Sequence, residues 1–327
     1  METRENRAYE LDNLRLLLIF LVVLGHTLEQ FDGTVRLWLL KIIYTFHMPA
    51  FLFLSGYFAR FRPKKLVTRL AVPYLVFQTL YSLFGALVLY HTPVTVRMAS
   101  PYWIMWYLMA MLIYTLLLPF LDALEHRWLL VLAVSVLTAL LAGYDGSVGY
   151  ELSLSRVLVF LPFFAGGYYG GKRALLTCLR ARRDLRLPLT AAGLAGIALQ
   201  LLYLRLRPLQ MAFFYGAMSY ASTDAGGLLD RLALGLFAVG WILLLALYMP
   251  ALRIPLLTDM GRNTMPVYLL HGFAVYLTWK YGMFRFSNAG NGLLAVAFAL
   301  GLTLLLGLIS LIPRPRRTGV SGGNGAS

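Results

Sequence analysis

The chain has 327 residues, of which 60% are hydrophobic and only 13% charged, with a mean hydropathy of +0.71. That composition places it in a bilayer and excludes a water-soluble globular enzyme. The formal net charge of +15, from 29 Lys and Arg against 14 Asp and Glu, falls mostly in short stretches between apolar runs, which reads as membrane topology signalling and excludes a nucleic-acid-binding face.

At about 20 apolar residues per span, ten helices are expected, centred near Val22, Met48, Gln78, Leu112, Val136, Pro162, Ala198, Val239, Leu270 and Leu304. The fold class is therefore all-α, a polytopic membrane protein with one transmembrane domain over residues 1–313 and a polar tail, 314–327, expected to be disordered. Basic clusters such as Arg60 to Arg69, Lys172 to Arg186 and Arg253 to Arg262 alternate with poorly charged connections. The positive-inside rule then puts both termini in the cytoplasm. The first span has no small-residue cleavage pattern and is read as a retained helix. Cys178 is the only cysteine, so neither an internal disulfide nor a cysteine-based metal site is expected.

The first span, LDNLRLLLIFLVVLGHTLEQF, carries Arg15 and His26 eleven residues apart. That spacing is almost three helical turns, so both project from one face about 16 Å apart along the axis. Ionisable side chains inside a membrane helix usually face a bundle interior or a wet cavity. The alternative is an Arg15 snorkelling at the helix end and a His26 hydrogen-bonded in the bundle. Asp12, three residues before Arg15, is placed to ion-pair with it.

In the second span His47 precedes a Met-Pro step, and Pro49 is expected to kink the helix. His47 could then face His26, or simply bond a backbone carbonyl, with Ser55 and Gly56 as small-residue packing. The third helix enters through RFRPKKLVTRLAVPYLV, whose Lys65 and Arg69 form either a grip for a polyanion or topology signals. The fourth opens with Tyr102, Trp103, Trp106 and Tyr107, a pattern that reads first as an aromatic belt at the outer surface and second as a sugar-stacking platform. GGYYGGK, residues 166–172, lacks phosphate-loop spacing and reads as close helix packing.

The ninth span brings Asn263, Pro266 and His271. Three histidines, Arg15 and Asp12 in spans one, two and nine exceed what an apolar bundle carries, so an internal cavity is expected. Histidines on three separate helices give no metal-ligand spacing, and no metal is expected.

LDNLRLLLIFLVVLGH resembles the opening helix of the membrane acyltransferase 3 family, whose hallmark is a basic residue, ten intervening positions and a histidine; Arg15 and His26 match it. FHMPAFLFLSGYF, RLAVPY, YWIMWYL and GRNTMPVYLLH resemble the family's later signatures in the same order. The FHMP and SGYF wording is most similar to the branch of fucose 4-O-acetylase and related sugar O-acetyltransferases. Two departures stand out: Lys65 and Arg69 occupy the stretch where some members show two arginines, and no esterase-like extracytoplasmic domain is expected after the tenth span.

The resemblance implies an integral-membrane O-acyltransferase, in that branch an O-acetyltransferase, in the plasma membrane of a bacterium. Its partners would be cytosolic acetyl-CoA as donor substrate, with no bound cofactor, and a hydroxyl of an extracytoplasmic carbohydrate or glycolipid as acceptor. His26 and Arg15 would be catalytic. Asp12, His47, Lys65, Arg69, Tyr74, Trp106, Asn263 and His271 would bind substrate or acyl-CoA. Residue chemistry supports a histidine in this role, since O-acyl transfer needs a base with a pKa near neutrality. Direct transfer and an acetyl-His26 intermediate both fit. The competing class is a proton-coupled transporter of a small acid, sugar or lipid-linked intermediate, but the two halves show no evident repeat. A scaffold without chemistry would leave Arg15 and His26 unexplained.

Overall fold

A computed structural model describes residues 9–31, 33–217, 219–222, 226–284 and 289–312. The tail expected to be disordered lies outside them. Ten helices dominate: α1 (Tyr9–Leu28), α2 (Thr34–Tyr57), α3 (Pro63–Tyr90), α4 (Trp106–Ala123), α5 (Trp128–Leu141), α6 (Leu154–Lys172), α7 (Arg183–Leu206), α8 (Leu228–Tyr248), α9 (Met265–Lys280) and α10 (Ala289–Ile309). Among the described residues there is no strand. Each expected centre falls in one of these helices, but eight helices are long and apolar enough to cross a membrane by themselves. The other two, α5 with 14 residues and α9 with 16, rise only about 21 and 24 Å at 1.5 Å per residue. Those lengths fall short of a hydrocarbon core of roughly 30 Å.

The helix ends gather in two opposite layers, one of them richer in basic residues. At the basic end Arg180 pairs with Glu10 at 3.0 Å, Asn13 donates to the carbonyls of Pro250 and Leu252, and Lys172 binds Asp122 and Glu125. At the opposite end Gln30 bonds Thr278, Tyr220 bonds the Gly143 carbonyl, and Arg207 pairs with Asp230 at 2.9 Å. α1 starts at the basic end and α10 finishes there, where Gly307 packs against Met260.

α1 is the hub, buried along most of its length and packed against α2, α9, α10 and the short helix Leu257–Gly261. Its Leu, Ile and Val side chains fill the bundle, and polarity is confined to its two ends, at Tyr9, Glu10, Asp12, Asn13 and Arg15 and at His26 and Thr27. The tightest seam is α2 against α6. A Cβ on Gly56 would overlap the Phe164 carbonyl, one on Gly167 the Phe53 carbonyl, and one on Gly171 the Tyr57 carbonyl. GGYYGGK is therefore a packing face, as the small-residue pattern suggests.

The chain between α3 and α4 corrects the aromatic-belt expectation. After Tyr90, residues 91–102 turn back along α3, where Gln78 donates to the carbonyls of Arg97 and Ser100 and accepts from the Tyr102 amide at 2.8 Å. Tyr74 donates to the Met98 carbonyl at 2.7 Å. These bonds satisfy backbone that would otherwise be unpaired beside apolar helices. The returned chain delivers Trp103, Trp106 and Tyr107 to the interior of the bundle. Trp103 sits at φ 33, in the left-handed region that a bulky residue adopts only when its surroundings enforce it.

Candidate active site

His26 occupies the last turn of α1, and three residues on, one turn along, lies Glu29. The imidazole Nδ1 lies 3.3 Å from Glu29 Oε2 and 3.3 Å from the Tyr44 hydroxyl. Tyr44 donates to Glu29 at 2.5 Å and Tyr215 donates to it at 3.2 Å. Gly25 allows this closeness, because a Cβ there would press on the Tyr44 ring. Burial pulls the Glu29 carboxyl upward, yet the adjacent His26 ring and the bonds from His26, Tyr44 and Tyr215 hold it below its ordinary value. A carboxylate facing Nδ1 assigns the proton to that nitrogen and leaves Nε2 with its lone pair.

Trp103 packs its ring 4.6 Å from the His26 ring and His271 stacks at 5.7 Å, the two lying 6.4 Å from each other. His271 is fully buried, and its Nδ1 lies 2.9 Å from the Val267 carbonyl. Its Nε2 has no hydrogen-bond partner among the described residues. His47 bonds the Ile43 carbonyl at 2.8 Å and packs against the Tyr44 ring. Both readings of His47 hold together: it bonds a carbonyl and it faces the same space as His26.

That space is a cavity of about 320 Å³ walled by His26, Glu29, Tyr44, His47, Trp103, Trp106, Tyr150, Arg156 and Tyr215. A second cavity, of about 210 Å³, lies toward the basic end and is lined by Arg15, Ser55, Tyr107, Arg262 and Asn263. Between them is a neck of about 20 Å³ bordered by His26, Met48, Trp106, Phe51, Tyr107 and Tyr268. Its walls include residues of both cavities, so the three spaces form one file along the face of α1 that carries Arg15 and His26. A further space, of about 410 Å³, is almost wholly apolar and opens between α5 and α8. It offers no comparable reacting group.

In the basic-end cavity Arg15 lies 3.4 Å from Asp12 and stacks 4.0 Å over the Phe58 ring. Arg262 reaches the same Asp12 carboxylate at 3.7 Å and Asp259 at 2.7 Å. Asp12 thus positions two guanidinium groups at the wall.

The structure brings together Arg15, Asp12, His26, His47, Trp106, Asn263 and His271. Lys65 and Arg69 are exposed on the first turns of α3 and belong to the lining of none of these cavities. The reason is local: Pro63 starts the helix and a π-helical stretch, Val67–Ala71, directs this basic turn outward. Tyr74 is buried, with its hydroxyl spent on Met98 rather than on a cavity. Sequence reasoning missed Glu29, Tyr44, Arg156, Tyr215 and Arg262 as site residues. The separation of Glu29 from His26, one helical turn, was a usable signal; the others depend on long-range packing. Among the described residues no group of three His, Cys, Asp or Glu side chains could hold a metal ion.

No curated protein and no solved structure gives a match to the chain. Residues 8–312 match the acyltransferase 3 family, described as an acyltransferase domain, which spans the whole file of cavities and all ten helices. With nearly its full length matched, the chain belongs to this family and is a multi-pass membrane acyltransferase.

Proposed function

We propose that the protein is an O-acetyltransferase of a bacterial plasma membrane that moves an acetyl group from cytosolic acetyl-CoA to a hydroxyl of an extracytoplasmic or lipid-linked carbohydrate. The observation that carries this reading is the file of spaces along α1, with cationic Arg15 and Arg262 at one end and an oriented imidazole at the other. A CoA phosphate docks at the Arg15 end, where a guanidinium offers a fixed fork of donors. The thin pantetheine arm threads the neck and presents its thioester at His26.

The acceptor hydroxyl approaches from the wider cavity. His26 Nε2 removes its proton as the oxygen attacks the thioester carbonyl. The carbon–sulfur bond breaks, and the imidazolium returns the proton to the departing CoA thiolate. Glu29 holds the Nδ1 proton in place and stabilises the imidazolium, the part a carboxylate plays in a Ser-His-Asp triad. The fucose 4-O-acetylase branch is the favoured relative on the FHMP and SGYF wording.

The test supplies labelled acetyl-CoA and a total envelope glycan extract to membranes containing wild type, His26→Ala or Arg15→Ala at equal protein levels. Label in glycan from wild type, none from His26→Ala and, with acetyl-CoA held below the wild-type KM, little from Arg15→Ala supports the reading. Equal transfer by His26→Ala removes this histidine as the base.

A further inference from the structure

One cation in the wide cavity has no part in the chemistry above. Arg156 sits in the first turn of α6, and its Nε donates to the Tyr215 carbonyl at 3.1 Å. Its guanidinium lies 5.1 Å from the Trp106 ring and 5.6 Å from the Tyr150 ring, and it lines the same cavity as His26. It makes no ion pair among the described residues. Glu29, the acid that lines the same cavity, is hydrogen-bonded to His26, Tyr44 and Tyr215 and acts on Arg156 only through space.

A cation in the first turn of a helix also opposes the helix dipole, whose positive end lies there. The half-buried guanidinium has no carboxylate within ion-pair distance among the described residues, and a ligand anion in the cavity would complete the pair. The guanidinium fork favours a negative group in front of it. Trp103, Trp106 and Tyr150 supply flat walls of the kind that small-molecule sites place around a few polar anchors. At about 320 Å³ the space suits one sugar ring, since such sites begin near 300 Å³.

We infer that the acceptor carries an anionic group, a carboxylate or phosphate on the sugar that receives the acyl group, and that Arg156 binds this group while the hydroxyl faces His26. The inference rests on the acceptor lying in this cavity, as proposed above, and it narrows the acceptor class to acidic sugars and sugar phosphates.

The experiment uses full-length protein in discs of zwitterionic phosphatidylcholine and follows tryptophan fluorescence during titration with a hexuronate, a hexose 1-phosphate and the neutral hexose. At least one anionic sugar is expected to bind about tenfold to a hundredfold more tightly than the neutral one, the range of a charge-assisted hydrogen-bonded pair. Which of the two binds separates a carboxylate from a phosphate. Arg156→Gln is expected to remove the preference, and Arg156→Lys to keep part of it. Equal affinities in wild type overturn the inference without need of any variant. So does a folded Arg156→Gln protein that still discriminates, or displacement of the sugar by phosphatidylglycerol at equal concentration, which would mark a lipid-headgroup site. Labelled acetyl transfer is measured alongside. Transfer to neutral glycan with no anion preference sinks the anion site and leaves the transferase reading standing. Anion binding lost in Arg156→Gln, with no acyl transfer to any acceptor, supports the site and sinks the transferase reading.

Discussion

Along one face of α1 the two cavities are built from opposite materials. At the Arg15 end the wall holds two guanidinium groups that share the Asp12 carboxylate, Arg262 being held more closely by Asp259, with Ser55, Tyr107 and Asn263 as neutral neighbours. Eleven residues on, the wall is aromatic and holds a histidine whose Nδ1 faces a carboxylate and a phenol. Fixed positive charge binds anions but transfers no proton at neutral pH, because an arginine stays protonated. An imidazole with one nitrogen committed and the other open transfers a proton readily. The contrast separates holding from reacting, and substitutions at the two ends should therefore fail in different ways.

The largest effect is expected at the reacting end. His26→Ala should lower kcat for acyl transfer about a thousandfold, within the usual worth of a general base, while the KM for acetyl-CoA changes little. Steady-state kinetics on purified protein check both numbers. Glu29→Gln should cost on the order of a hundredfold in kcat, less than the loss of a triad acid, because Tyr44 also contacts Nδ1. An unchanged kcat in Glu29→Gln would show that the carboxylate does not orient the ring.

How far this division could be read in the sequence depends on the range of the contact. The Arg15 and His26 pair was legible because helical periodicity alone puts both on one face, and the helical architecture followed from apolar runs. The placement of Trp103 and Trp106 was not legible. It depends on Gln78, some twenty residues upstream, capturing the returning chain at 97–102. Belt statistics describe aromatic residues at a helix end lying at the interface, and this helix begins inside the bundle. Arg156 and Tyr215 were invisible for a similar reason, since α6 and the segment after α7 meet only in the folded chain. Glu29 lay within reach, but a carboxylate just past the end of a span reads as an ordinary interfacial residue.

At the holding end the expected signature is reversed. Arg15→Ala should raise the KM for acetyl-CoA tenfold to about a hundredfold, the worth of a charged hydrogen bond, with kcat within a few-fold of wild type. Arg15→Lys should recover part of the loss, because charge is kept and the planar fork is not. A fall in kcat equal to that of His26→Ala would erase the distinction between the two ends.

A change in the scaffold should affect both ends together. α2 contributes His47 to one cavity and Ser55 to the other, and its seam with α6 has no room at Gly167. Gly167→Ala is expected to destabilise the protein by about 1–3 kcal/mol, as overpacking does. A lowered unfolding temperature in detergent should accompany the loss of activity. His26→Ala should show no such thermal loss, which separates a damaged scaffold from a missing base.

The smallest effect is expected at Lys65 and Arg69, the pair whose spacing first suggested a phosphate grip. Their side chains stand exposed on the opening turns of α3, where water and salt screen a charge strongly. Screened contacts of exposed charges are weak, so the double substitution Lys65→Ala with Arg69→Ala should raise the KM for acetyl-CoA by no more than a few-fold at physiological salt. The small effect should shrink further when ionic strength is raised, whereas the Arg15→Ala defect should persist, because Arg15 is held by Asp12 and Phe58 inside a cavity. A salt-resistant, tenfold increase from the Lys65 and Arg69 substitutions would move the donor site outward, from the cavity at Arg15 to the surface of α3.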